Sequence, residues 1–288
     1  MRLIVYTIVY LFGLALLSSV LAWFIASFLD YDYLKILSRT LLLLVALSLI
    51  PLWRLNGMTR EAVGLSNFSW RPFSASIVLS IVMLLPLMLL FLMSGFRILD
   101  PRVEILSSDF AQTLMFVGVG AILVGIFEET LFRGFLQKVV GDRIGITRSI
   151  WLISIGYGLV HFLEPSDVVV DQAEIFTGIS LIATAFVGVA SFGEEITSFA
   201  TLVAIGAFLG YTRERFGLWI AIGLHTGWVM AIRTFKELTV RDVFNPFAAW
   251  TGTYDNFIGP LALFWLLFGY VLFRLYQLHC ENLQVDSR

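Results

Sequence analysis

The chain has 288 residues, 59% of them hydrophobic and only 14% charged, with a formal net charge of −2. Soluble domains carry about 45–50% apolar and about 25% charged residues, so this chain cannot cover its apolar surface in water. That balance excludes a soluble globule and a disordered chain, the single cysteine Cys280 excludes a disulfide scaffold, and the near-neutral charge excludes a nucleic-acid partner.

What remains is a polytopic membrane protein, with a mean hydropathy of +0.89. Apolar runs of about 17–25 residues cross a bilayer as helices. In chain order they predict spans over 3–29, 36–53, 75–96, 111–137, 149–163, 197–211, 217–233 and 258–277. A further apolar piece, 176–192, is rich in Gly, Ser and Thr and has acidic flanks, which fits either a ninth span or a re-entrant or interfacial helix. The expected fold is all-α, a transmembrane helix bundle of about eight spans plus that extra helix. The first run far exceeds the about 7–15 apolar residues of a signal sequence and is read as an anchor that stays. Counting Lys and Arg by loop gives eleven on the side of Arg2, Arg54, Arg60 and Arg71 and seven on the side of Lys35, Arg39, Arg97 and Arg102. Both termini are therefore expected in the cytoplasm, with the protein in the inner membrane of a bacterial or archaeal cell. By motif content the chain divides into N-terminal helices (1–110), a core (111–233), and a long loop with the last span (234–288). Gly206 and Gly210 form a small-xxx-small pair, read as close helix packing.

An ionisable group well inside a span costs about 2.5–3.5 kcal/mol by insertion scales and needs a reason. IFEETLFRGF, 126–135, sets Glu128, Glu129 and Arg133 behind a long apolar helix. Adjacent helical residues point about 100° apart, so the two glutamates cannot share one role. Glu129 and Arg133 are i,i+4 and pair along one face, leaving Glu128 as a lone carboxylate aimed inward and available as a general base. Of three histidines, His161 in SIGYGLVHF and His225 in IAIGLHTGW fall within apolar helices, while His279 reads as a solvated tail residue. One such histidine alone is first a packing residue held by hydrogen bonds. Two of them with a carboxylate pair favour a polar active site over a structural network.

Other candidates are weaker. Glu194 and Glu195 open a span, where acids suit the helix dipole, and Glu164, Asp167, Asp171 and Glu174 read as a solvated rim. No HExxH is present, although two histidines and a glutamate leave a His2Glu zinc site open. Ser180 in GISL matches a rhomboid-type nucleophile poorly, and there is no GxGD for an aspartyl pair.

Together these motifs resemble the CPBP family, the CAAX-processing and bacteriocin-maturation intramembrane proteases also called ABI or Rce1-like. EETLFR, 128–133, matches the family's EExxxR, and GFLQ continues it as the family does. YGLVH, 157–161, matches FxxxH with Tyr157 in the aromatic place. The segment 199–228 resembles the family's glycine-rich helix pair through Gly206, Gly210 and His225. The resemblance covers 111–233 and implies a glutamic-type intramembrane endopeptidase. It implies that Glu128 and His161 activate water, that His225 stabilises the oxyanion, and that Glu129 and Arg133 support Glu128. It also implies the bilayer and a membrane-anchored or lipidated peptide or protein as partners. The family ends its last motif in HxxxN or HxxxD, whereas Val229 stands here and cannot donate a hydrogen bond. Trp228, i,i+3 from His225, is the expected substitute donor. Three alternatives stay open: a weak or inactive homologue acting as a membrane scaffold or immunity protein, a zinc-dependent membrane protease, and a small transporter. The absence of inverted-repeat halves counts against the last.

Overall fold

The computed structural model describes residues 2–29, 32–55, 57–162, 170, 173–188, 196–252 and 254–272. In hydrocarbon a backbone N–H or C=O finds no partner but the chain itself, and the described chain is accordingly almost wholly helical. The helices are α1 (Arg2–Ala26), α2 (Tyr33–Leu55), α3 (Arg60–Val63), α4 (Trp70–Met93), α5 (Ser108–Glu129), α6 (Gln137–Ile144), α7 (Ile146–His161), α8 (Thr177–Gly188), α9 (Ile196–Phe216) and α10 (Leu218–Leu238). They are followed by α11 (Pro260–Leu272).

Among the described residues, four stretches are long and apolar enough to cross a membrane: Trp70–Met93, Ser108–Ile144, Ile196–Phe216 and Leu218–Leu238. Each span expected from hydropathy coincides with a helix, although α7 has 16 residues and the expected spans ending at 163 and 277 run beyond the described residues. α8 occupies the place of the extra helix. One small sheet was not expected. β1 (Arg97–Leu99) and β2 (Thr239–Arg241) pair antiparallel, with Arg97 opposite Arg241 and Leu99 opposite Thr239. Three-residue strands carry no readable alternation. They form because the chain leaving α4 runs beside the chain leaving α10, and each supplies the other's backbone partners.

The chain divides into two compact units. The first comprises Met1–Arg60 with Leu159–Gly193. In it α8 docks on α1 and α2 through Gly178, where a Cβ would come 2.7 Å from Ser19 Oγ and 2.9 Å from Leu37. The Ser19 hydroxyl donates to the Ile175 carbonyl at 3.0 Å and accepts from the Ile179 amide at 3.1 Å, fixing the start of α8.

The second unit comprises Glu61–Gly158 with Glu194–Arg288 and is built around α10. Every residue from Ala221 to Trp228 is buried, as befits a helix enclosed on all sides. Lipid tails are as apolar as leucine, so close packing rather than the hydrophobic effect holds such helices together. Small residues make that packing possible. A Cβ on Gly223 would collide with the Ser76 hydroxyl and lie 2.7 Å from the Phe73 carbonyl, and one on Gly227 would collide with Ser80 and lie 2.5 Å from the Ile77 carbonyl. On another face of α10, a Cβ on Gly125 of α5 would lie 3.2 Å from the Ile222 carbonyl. α10 therefore presses against α4 and α5 almost backbone to backbone, which brings the end of α5 to His225.

Candidate active site

α5 ends at Glu128 and Glu129, and the next seven residues, Thr130–Leu136, are wound as a π-helix before α6 resumes the α form. Such widened turns inside α-helices occur frequently at functional sites. From this stretch and the start of α6, Arg133 and Gln137 both reach α9. Arg133 Nη2 donates to the Gly206 carbonyl at 3.3 Å, and Gln137 Nε2 donates to the Gly210 carbonyl at 3.2 Å and to Glu214 at 2.9 Å. Gly206 and Gly210 are closely packed: a Cβ on Gly206 would lie 3.0 Å from Ser154, and one on Gly210 would lie 2.9 Å from Gln137.

Arg133 and Glu129 form a fully buried ion pair, Nη1 to Oε1 at 2.8 Å, with side chains 1% and 0% exposed. The guanidinium also stacks over the Tyr157 ring, 4.3 Å from its centroid, and Phe132 meets that ring edge-on at 5.2 Å. A cation over an aromatic face is worth about 2 kcal/mol or more when desolvated, so Tyr157 adds to the hold that Glu129 has on the guanidinium.

His225 completes the cluster. Its Nδ1 lies 2.8 Å from Glu129 Oε1, its Nε2 lies 3.9 Å from Glu128 Oε2, and its ring stands 6.3 Å from that of Tyr157. An ionised carboxylate only accepts hydrogen bonds, so Nδ1 carries the proton and Nε2 is the atom turned toward Glu128. Glu128 is 20% exposed, the least enclosed of the charged groups here. Its Oε2 is buried and has no hydrogen-bond partner among the described residues, and the same holds for Glu129 Oε2, Thr130 Oγ1, Thr226 Oγ1 and Trp228 Nε1. Buried polar atoms are nearly always paired, and leaving one open costs about 1–3 kcal/mol. Of these, Glu128 Oε2 is the one that His225 Nε2 faces, at 3.9 Å.

Glu128, Glu129, Arg133, Tyr157 and His225 thus meet within the second unit. Trp228 packs with Leu209, Ala221 and Leu224, its ring 5.4 Å from Phe208, and Val229 is half-buried one residue further on. His161 is the last residue of α7, half-buried, one turn past Tyr157 on the same helix face, and belongs to the first unit. The bond between Glu129 and His225 went unforeseen, since no sequence spacing links residues 96 apart. Gln137 carries no sequence signal beyond its place in GFLQ, although it is buried and ties α6 to α9.

Ser180 is exposed on α8 and donates to the Thr177 carbonyl at 2.8 Å, and Glu174 is exposed. Glu164, Asp167, Asp171, Glu194, Glu195 and His279 lie outside the described residues. Among the described residues, no three His, Cys, Asp or Glu side chains group as metal ligands. A cavity of about 420 Å³ opens beside Lys138, Asp142, Arg213 and Glu214, and no residue of the cluster lines it.

Residues 110–231 match the family model described as Rce1-like, type II CAAX prenyl endopeptidase Rce1-like, and the matched stretch contains every residue of the cluster. No curated protein and no solved structure matches the chain.

Proposed function

We propose that this integral membrane protein, a member of the CPBP family of CAAX-type proteases through residues 110–231, is an intramembrane endopeptidase that hydrolyses a peptide bond of a membrane-associated protein or peptide. Glu128 takes a proton from water as the water oxygen attacks the scissile carbonyl. His225 donates from Nε2 to the oxyanion that forms. The C–N bond then breaks, and the proton held by Glu128 passes to the leaving amine. Donation from Nε2 requires the imidazolium, and the charges of Glu128, Glu129, Arg133 and His225 then balance. Glu129 orients the imidazole and Arg133 anchors Glu129. The Trp228 indole N–H supplies the second oxyanion donor in place of Val229.

The observation that carries the reading is the open Glu128 carboxylate 3.9 Å from Nε2 of a histidine whose other nitrogen is tied to a buried carboxylate. A helical substrate must unwind at the cut, because its carbonyls are otherwise bonded internally. The test is Glu128→Gln in proteoliposomes, offered a prenylated CAAX peptide and an unlipidated membrane peptide. Cleavage is expected to vanish while the unfolding temperature stays that of the parent. Undiminished cleavage overturns the assignment.

Val229, an apolar residue where the resembling family has Asn or Asp, favours a second reading: a catalytically silent homologue that acts as a membrane scaffold or immunity protein. Under that reading the parent protein cleaves neither peptide, and its biological effect survives Glu128→Gln.

A further inference from the structure

We propose that the end of the second unit carrying the β1–β2 ladder is a lipid-dipping surface, submerged in the headgroup and upper acyl region of the bilayer. α4 ends, α5 begins, α10 ends and α11 begins at this end. Chain leaving a span for water is normally polar. Here it presents Leu99, Ile105, Leu106, Val243, Phe244 and Phe247 outward, with Leu106 fully exposed and Phe244 91% exposed.

These side chains are held outward by specific bonds. The Asp242 amide donates to the Phe96 carbonyl at 3.1 Å, the Phe244 amide to the Asp242 carboxylate at 2.9 Å, and the Phe247 amide to the Asn245 side chain at 3.0 Å. Asn245 Nδ2 in turn donates to the Ser94 carbonyl at 2.9 Å. Asx-type turns of this kind pin the loop over the end of α4 with its apolar tips pointing away from the protein.

Several of the charges nearby are bonded internally. Arg102 meets Asp100 through two bonds of 2.7 and 2.8 Å, Lys236 meets Asp255 at 2.7 Å, and the buried Arg97 is bonded to the Thr239 hydroxyl and carbonyl.

The occupant is lipid because the patch continues into the lipid-facing side of the bundle. A groove of about 270 Å³, lined by Leu90, Phe96, Phe247, Trp250 and Leu261, joins the loop to exposed Leu90 and Met93 on α4. Trp at the end of a span matches the aromatic belts that sit at membrane interfaces, and Phe beside it supplies the apolar ring that interfacial elements bury. Apolar area and aromatic rings are what anchor a surface element at that depth.

The test uses the chain's single cysteine to advantage. In a Cys280→Ser background, Phe244→Cys and, as a reference on an exposed polar stretch of α6, Arg143→Cys are labelled with an environment-sensitive fluorophore and reconstituted in liposomes. Phe244→Cys is expected to emit to the blue of the reference and to be quenched by lipids brominated high on the acyl chain, with protection from aqueous iodide. Quenching by iodide to the extent of the reference overturns the proposal. Protection from both quenchers also overturns it, because the surface is then covered by protein. Val243→Cys, also exposed, repeats the measurement should Phe244→Cys fail to assemble.

Discussion

His225 and Glu129 are joined by a 2.8 Å contact between Nδ1 and Oε1 that closes a loop of 96 residues and ties α10 to the end of α5. The same oxygen receives Arg133 at 2.8 Å, so one buried carboxylate oxygen accepts from both neighbours. Removing one member of a buried pair strands the other and costs about 3–5 kcal/mol. Glu129→Gln is therefore expected to lower the unfolding temperature in detergent sharply and to abolish cleavage. An unchanged unfolding temperature would show that the pair does not hold the helices.

Arg133→Lys keeps the charge but not the planar fork that reaches Glu129 and the Gly206 carbonyl while stacking on Tyr157. Losing the stack and one hydrogen bond should cost about 1–3 kcal/mol, read as a lower unfolding temperature. Parity of lysine with arginine here would mean that charge alone matters.

Trp228→Phe preserves most of the ring volume and removes the N–H. If that N–H faces the oxyanion, kcat should fall by about 10²–10³ with little change in KM. Val229→Asn in the same background should then recover part of the loss. A silent Trp228→Phe assigns the second donor to another group.

Helix contacts give a prediction independent of chemistry. Gly227→Ala and Gly223→Ala press a methyl into backbone carbonyls of α4 that cannot swing aside, and overpacking of this kind costs about 1–3 kcal/mol or more. Gly156→Ala on α7 meets nothing within 4 Å and should instead stabilise by about 0.5–1 kcal/mol. Thermal unfolding of the three variants checks the contrast, and equal behaviour would refute the packing argument.

What was legible in the sequence follows the range of each interaction. The Glu129–Arg133 pair is local, so its spacing announced it, and the spans were legible because desolvated backbone has only the helix to adopt. The approach of His225 to both glutamates was not legible, because it depends on how Gly125, Gly223 and Gly227 let α10 settle between α5 and α4. The widened turn over TLFRGFL was equally hidden, since its composition is that of an ordinary helix. The ladder of Arg97–Leu99 with Thr239–Arg241 is too short to carry a period. Gly206 and Gly210 were read as packing glycines, and the packing is there; that their carbonyls also receive Arg133 and Gln137 needed the fold.

The position of His225 along α10 sets how deep the chemistry lies. It stands seven residues from Leu218, about 10 Å along the axis, and Arg213 and Arg215 lie just before that helix begins. The hydrocarbon layer is about 30 Å thick, so with those arginines among the headgroups the proposed cut would lie roughly a third of the way in from their face. An extended strand advances about 3.3 Å per residue, so a chain tethered at that face needs only about three residues to reach the site. One entering from the opposite face must thread most of the bilayer first. A cut at that depth would favour substrates anchored on the arginine-bearing side of the membrane.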